Sequence, residues 1–324
     1  MKEWINLKVM DKSLLVQLYY NSRENAAKIA KQLHISREQV AYRIKKFEEL
    51  KIIKGYIPLI NYSRLGYHLI TLIFFRFNRQ SYIEKFKEEI KGSKNRIITI
   101  ETLSKYDIGA LFIFKNEKER NEYLSEILNQ DNLEISEYQI IEPYFSEFYL
   151  LKFLNNNQAQ PRIFHEYKSE EYKLDEKEKK ILSVLNKNAN ARIIDISRAT
   201  DISAELILYK LKKLKDENVI LTTRAYYDME RIGYFYTIIL INLHNFSKQN
   251  QDRLKRFSKK NESVDSITFM LGKPNCYIQI FHKDVSELHS ILKNLKQTFP
   301  NDSLTIEIIP LKNEGEYVNT IPFL

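Results

Sequence analysis

Cysteine is almost missing from this chain of 324 residues. Cys276 stands alone, so no disulfide can close within the chain, and a reducing, cytoplasmic setting is expected. Glycine is scarce, with seven residues. No GxGxxG occurs, and Gly272-Lys273 runs into Pro274 without the upstream glycine of a phosphate-cradling loop. No apolar run approaches the roughly 18 residues of a membrane helix. The longest, 69–77, is broken by Thr71 and Arg76, and the opening Met1-Lys2-Glu3-Trp4 leads into no signal-type apolar segment. The six histidines (34, 68, 165, 244, 282 and 289) show no metal-ligand spacing with the lone cysteine, so neither metal nor cofactor is expected.

Positive charge and core-forming residues are plentiful. The net charge is +9, the pI about 9.2, and hydrophobic residues make up 44%. Such a chain folds rather than staying disordered, and its charge favours polyanions, nucleic acid among them.

A repeat organises the sequence. Shifted by 167 positions, the segment from Asp11 to Tyr67 lies on Glu178 to Tyr234 without a gap. Leu15, Leu18, Asn21, Ile29, Ile35, Ser36, Glu38, Tyr42, Lys46, Arg64, Gly66 and Tyr67 each meet their own residue type. The polar stretch 155–161 between the copies reads as a linker.

Within copy one, Asp11 to Asn21 reads as a helix with Leu14, Leu15 and Leu18 on one face. Ala26, Ile29, Ala30 and Leu33 follow at helical spacing. After a short turn, Ser36 takes the N-cap position with Gln39 three residues on, a capping box. The third helix buries Val40, Ile44, Phe47 and Leu50. Its opposite stripe is Gln39, Tyr42, Arg43 and Lys46, with Arg37 at its start. Two helices, a tight turn and a third helix with a polar, basic outer face make a helix-turn-helix, whose last helix enters the major groove of double-stranded DNA. Ser36 and the helix N-terminus suit a phosphate, while Arg37, Gln39, Tyr42, Arg43 and Lys46 suit phosphates and base edges. Ile52 to Ile57 and Leu59 to Asn61 are expected as the two strands of a wing. Copy two keeps this scaffold with Ser203, Tyr209, Lys210 and Lys213 on the matching face, but Ala204 and Leu206 stand where Arg37 and Gln39 were.

Beyond Gly66 and Gly233 each copy turns to a β-α-β-β-α-β order. The fold class is therefore α+β: two copies of a winged helix-turn-helix followed by a ferredoxin-like βαββαβ domain. Expected boundaries are 1–62, 63–154, a linker over 155–172, then 173–229 and 230–324.

These residues resemble the Lrp/AsnC (feast/famine) family of transcription regulators. The resemblance rests on Leu174-Asp175, Glu178, Ile181-Leu182 and Leu185, and on Ile29-Ala30, Leu33, Ile35-Ser36, Val40, Arg43-Ile44, Ile52-Ile53, Gly55-Tyr56 and Leu65-Gly66. It implies domains that pair through their sheets, here within one chain as a pseudo-dimer, and homo-oligomers beyond it. It also implies an amino acid or other small metabolite bound near the loop between the second and third strands. That loop carries Ser104 and Asp107 in copy one, and Gly272 and Asn275 in copy two. An enzyme is not expected, although siroheme decarboxylases resemble the same family. A site of that kind needs His and Arg pointing from the sheets, which hold His68, Arg76, Arg96, His244 and His282. A sensor or scaffold without DNA contact is the remaining alternative.

Overall fold

The computed structural model describes residues 4–130, 133–149, 151–154, 162–163, 170–300, 302–312 and 318–324. The expected linker core, 155–161, lies outside them. No described helix is long and apolar enough to cross a membrane.

Copy one opens with α1 (Val9–Tyr20), α2 (Ala26–Leu33), α3 (Arg37–Glu49) and β1 (Ile53–Ile60). Its βαββαβ unit follows as β2 (Leu69–Phe77), α4 (Gln80–Lys91), β3 (Arg96–Thr102), β4 (Ile108–Phe114), α5 (Glu117–Leu128) and β5 (Ile135–Ile141). Two connecting strands come next, β6 (Pro143–Phe148) and β7 (Arg162–Ile163). Copy two repeats the plan with α6 (Glu176–Lys187), α7 (Ile193–Thr200), α8 (Ala204–Asp216) and β8 (Ile220–Tyr227), then β9 (Phe235–Leu243), α9 (Lys248–Lys260), β10 (Val264–Met270), β11 (Cys276–His282), α10 (Val285–Thr298) and β12 (Leu304–Lys312). Strand orders β5-β2-β4-β3 and β12-β9-β11-β10 both run fourth, first, third, second, the ferredoxin-like arrangement.

Strand β2 is apolar on both faces, so a layer of helices alone cannot satisfy it. Ile73, Phe75 and Phe77 pack with Phe86 of α4 and Leu124 of α5. The other face, Leu72 and Phe74, joins Ile238, Leu240 and Ile309 of copy two in a separate cluster. Burying one such side chain contributes about 1.5–3 kcal/mol, and here the two sheets cover each other. Strands exchanged at two corners fasten the pair. Past Glu142 the chain leaves copy one's sheet as β6 and pairs with β10, Phe148 opposite Ser266. Past Pro310, β12 leaves β9 and pairs with β3, Leu311 opposite Thr102.

The wing differs from the sequence expectation. Residues 53–60 form one strand running through Pro58, and its partner is β8 of the other copy. Proline lacks an N–H, but a two-stranded ribbon has only edge strands, where that loss is tolerated. At the ribbon's middle, Ile57 faces Arg224. These two are equivalents under the 167-residue shift, so a pseudo-two-fold axis passes between them.

Each helix-turn-helix core is closed by the other copy. Tyr227 of β8 is buried among Leu14, Leu15 and Leu18, and its hydroxyl donates to the Leu15 carbonyl at 2.6 Å. Ile60 and Leu65 are buried among Ile181, Leu182 and Leu185. The cores thus cross the expected boundaries at 62/63 and 229/230. The glycines that coincide in the repeat, Gly66 and Gly233, both have φ +81°, a left-handed conformation glycine adopts at little cost.

Candidate nucleic-acid interface

In copy one the helix-turn-helix forms as the residue types require. Asn25 caps α2, its side chain accepting from the Ala27 N–H. The chain then turns through His34 at φ 55°. Ser36 Oγ accepts from the Gln39 N–H, and Gln39 Oε1 accepts from the Ser36 N–H. Val40 and Phe47 are fully buried, with Ile44 and Leu50 half-buried against the same core. Arg37, Gln39, Tyr42 and Lys46 are exposed, Tyr42 by 66%. The capping box occupies the Gln39 side-chain oxygen and leaves its NH₂ without a hydrogen bond among the described residues.

Arg43 departs from the stripe to which its spacing assigned it. Its guanidinium is turned back onto α1 in an ion pair with Asp11, and the side chain is half-buried. Copy two repeats the exchange more strongly. Glu178, the equivalent of Asp11, is 1% exposed. It accepts from Lys210 Nζ at 3.1 Å, from the Tyr172 hydroxyl at 2.9 Å and from the Asp175 N–H at 3.0 Å. Lys210 also pairs with Asp175. The Asp175 hydrogen bond holds the Lys210 ammonium above its ordinary range, with burial opposing and Glu178 adding to the effect. Lys213 Nζ sits 3.8 Å from Glu178 and lies over the Tyr172 ring. A buried carboxylate is costly unless paired, so it draws in the two lysines that spacing had assigned to DNA. The exposed face of α8 keeps Ser203 at its N-cap, Tyr209 (61% exposed), Leu208, Lys212 and Lys215.

Sequence reasoning missed these pairs, although one signal was present. The acid-and-base combination 11/43 recurs at 178/210 under the same shift as the apolar positions. Other unforeseen contacts fix the two units together. Arg23 donates to the carbonyls of Ala189 and Ala191, and Arg64 pairs with Glu217 at 2.9 Å.

The loop residues expected near an effector lie two in each copy, Ser104 and Asp107 in one and Gly272 and Asn275 in the other. Asp107 Oδ2 accepts from the Phe77 N–H at 2.8 Å, fastening the end of β2 to the start of β4. Asn275 does the same in copy two, and more completely. Its Oδ1 accepts from the Leu243 N–H and its Nδ2 donates to the Leu243 carbonyl. Asn275 is thus a buried clamp with both polar atoms in use. Ser104 Oγ lies 3.0 Å from Thr102 Oγ1 and accepts from the Tyr106 N–H. Gly272 is exposed with φ +93°.

A winged helix-turn-helix DNA-binding family model matches residues 174–220, which contain α6, α7 and α8. An uncharacterized HTH-type transcriptional regulator of Pyrococcus furiosus is 27% identical over 125 residues, 39% of this chain and 84% of its own length. The regulatory protein AsnC of Haemophilus influenzae is 24% identical over 149 residues, 44% of this chain and 94% of its own. Its relatives are the Lrp/AsnC-type regulators. Both align over most of their own length with less than half of this one, so each relative answers to one copy. The crystal structure of the siroheme decarboxylase NirDL covers 98% of this chain and 96% of its own at a TM-score of 0.62 and 14% identity. At that identity the match speaks for the whole-chain fold alone.

Proposed function

We propose that this protein is a sequence-specific DNA-binding transcription regulator of the cytoplasm that works as a single-chain pseudo-dimer. The observation carrying the reading is the β1–β8 ribbon. Its pseudo-two-fold axis at Ile57 and Arg224 sets one helix-turn-helix on each side, so one polypeptide offers the paired units that reading two half-sites requires. Helix α3 is the reading helix, with Arg37, Gln39, Tyr42 and Lys46 toward the groove and Ser36 at a phosphate. Arg43 positions α3 through Asp11. Helix α8 follows the backbone with Ser203, Tyr209, Lys212 and Lys215, while Lys210 and Lys213 serve its own fold. Since the two faces differ, the preferred site is asymmetric. An amino acid or other small metabolite as effector fits best at Asp107, whose Oδ1 carries no hydrogen bond among the described residues.

The test is binding to genomic fragments across a salt series, beside Arg37→Ala/Lys46→Ala. Losing two phosphate-facing cations lowers the slope of log K against log salt by about two and weakens binding to the preferred fragments. Equal, weak binding to all fragments, unchanged in the variant, would refute the regulator reading.

A second reading is an enzyme on this scaffold, since a siroheme decarboxylase shares the whole-chain fold. Two of its candidate groups are already committed. Arg96 donates to the carbonyls of Ile90 and Lys91. His282 Nδ1 donates to the Asp284 carbonyl and its Nε2 meets Thr237, while burial holds its imidazole below the usual range. A siroheme titration followed by visible absorbance separates the readings: saturable binding with decarboxylation favours the enzyme.

A further inference from the structure

The two copies carry different net charge on equivalent helices. Helix α9 bears Lys248, Arg253, Lys255, Arg256, Lys259 and Lys260 against the single acid Asp252. Its counterpart α4 is balanced, with Glu84, Glu88 and Glu89 against Lys85, Lys87 and Lys91. Lysine-rich codon usage would act on both copies alike, so it does not explain the difference. An open cleft of about 760 Å³ lies between α9 and α10. One wall carries Arg253, Arg256 and Lys260, the facing wall carries Asn294 and Gln297, and Phe257 lines it as well. Aligning the buried faces of the helices (Phe86 with Leu254, Ile127 with Leu295) sets Arg256 on Glu88 and Asn294 on Glu126. The acids of copy one are therefore replaced by a cation and an amide. Among the described residues Arg256 and Lys260 have no acidic partner, Arg256 Nε donating to the Asp252 carbonyl, while Arg253 donates to Asn250 Oδ1 at 3.3 Å and reaches one acid, Asp302, at 4.0 Å.

We propose that this cleft binds a small molecule bearing two or three adjacent phosphates. Guanidinium forks take phosphate oxygens two at a time. The amides opposite offer both donors and acceptors to the uncharged part, and an aromatic side chain gives it an apolar surface. The volume falls in the range of small-molecule sites. Donors on two facing helices grip a compact anion from both sides, which favours a small ligand over a duplex laid along one surface. The site is separate from the loops at Asp107 and Asn275, and binding there does not depend on the proposed DNA function.

The experiment is calorimetric titration of the full chain with tripolyphosphate and with ATP, both free of divalent cations. Three proteins are compared: wild type, Arg256→Glu/Asn294→Glu, which restores the acids of copy one, and Arg37→Ala/Lys46→Ala. Thermal unfolding checks that all three fold. Saturable, salt-sensitive binding is expected in wild type and in the α3 variant, weakened by about tenfold or more in the cleft variant. Three results would overturn the proposal: no saturable binding in wild type, loss in the α3 variant instead of the cleft variant, or a cleft variant that loses duplex DNA while keeping its tripolyphosphate affinity.

Discussion

Replacing Lys210 with Met tests whether the second reading helix has turned its cations inward. The Glu178 carboxylate is 1% exposed and has four partners: Lys210, Lys213, the Tyr172 hydroxyl and the Asp175 N–H. Stripping the partner from a buried ion pair typically costs about 3–5 kcal/mol. Three partners remain here and the Lys210 side chain is 12% exposed, so Lys210→Met is expected to cost about 2 kcal/mol. Lys210→Met/Glu178→Leu removes the stranded charge as well and should recover more than half of that loss. Urea unfolding reads both as midpoint shifts at unchanged slope. Duplex affinity of Lys210→Met should stay within about twofold of wild type, because a cation turned onto Glu178 and away from the phosphate path contributes little to binding. A cost below about 0.5 kcal/mol, the range of an exposed pair, would refute the reasoning. So would a stability-neutral variant that loses DNA affinity, since Lys210 would then reach phosphates as its helical spacing first implied.

Asn275→Ala deprives both the Leu243 N–H and its carbonyl of a buried partner and should cost about 2–3 kcal/mol by urea unfolding; a neutral variant would end the clamp assignment. Gly233→Ala puts a Cβ at φ +81° and 3.2 Å from the Trp4 ring, so a loss of about 1–2 kcal/mol is expected in the same assay, and an unchanged midpoint would count against that packing. Lys152 is buried, donates to the Lys259 carbonyl at 3.1 Å, and has its ammonium pushed down to about 8, chiefly by burial, with Asp265 and Glu262 opposing. Between pH 8 and the unfolded value of 10.5 the unfolded chain binds the extra proton, so stability rises with pH across that window. Relative to Lys152→Met, wild type should gain about 3 kcal/mol from pH 7.5 to 10.5; a flat difference would refute the burial account.

Much of this molecule is written locally. Helical spacing placed Val40 and Phe47 inward, Ser36 and Gln39 formed the capping box their separation implied, and the β-α-β-β-α-β order emerged twice. Each of these depends on neighbours within a turn or two of helix, or on alternation along one strand, so the sequence alone determined the helices, the repeat and the fold class. Tertiary structure decided which edges meet and where charges go. Strand β1 carries no mark showing that its partner is β8 rather than a second wing strand, because backbone hydrogen bonds look alike at every edge and pairing depends on what the remote chain offers. Arg43 and Lys210 occupy the same helical stripe as Lys46 and Tyr209, yet Asp11 and Glu178, 32 residues upstream, capture them. Periodicity gives the direction in which a side chain leaves its helix; which charge it meets depends on the helix packed alongside.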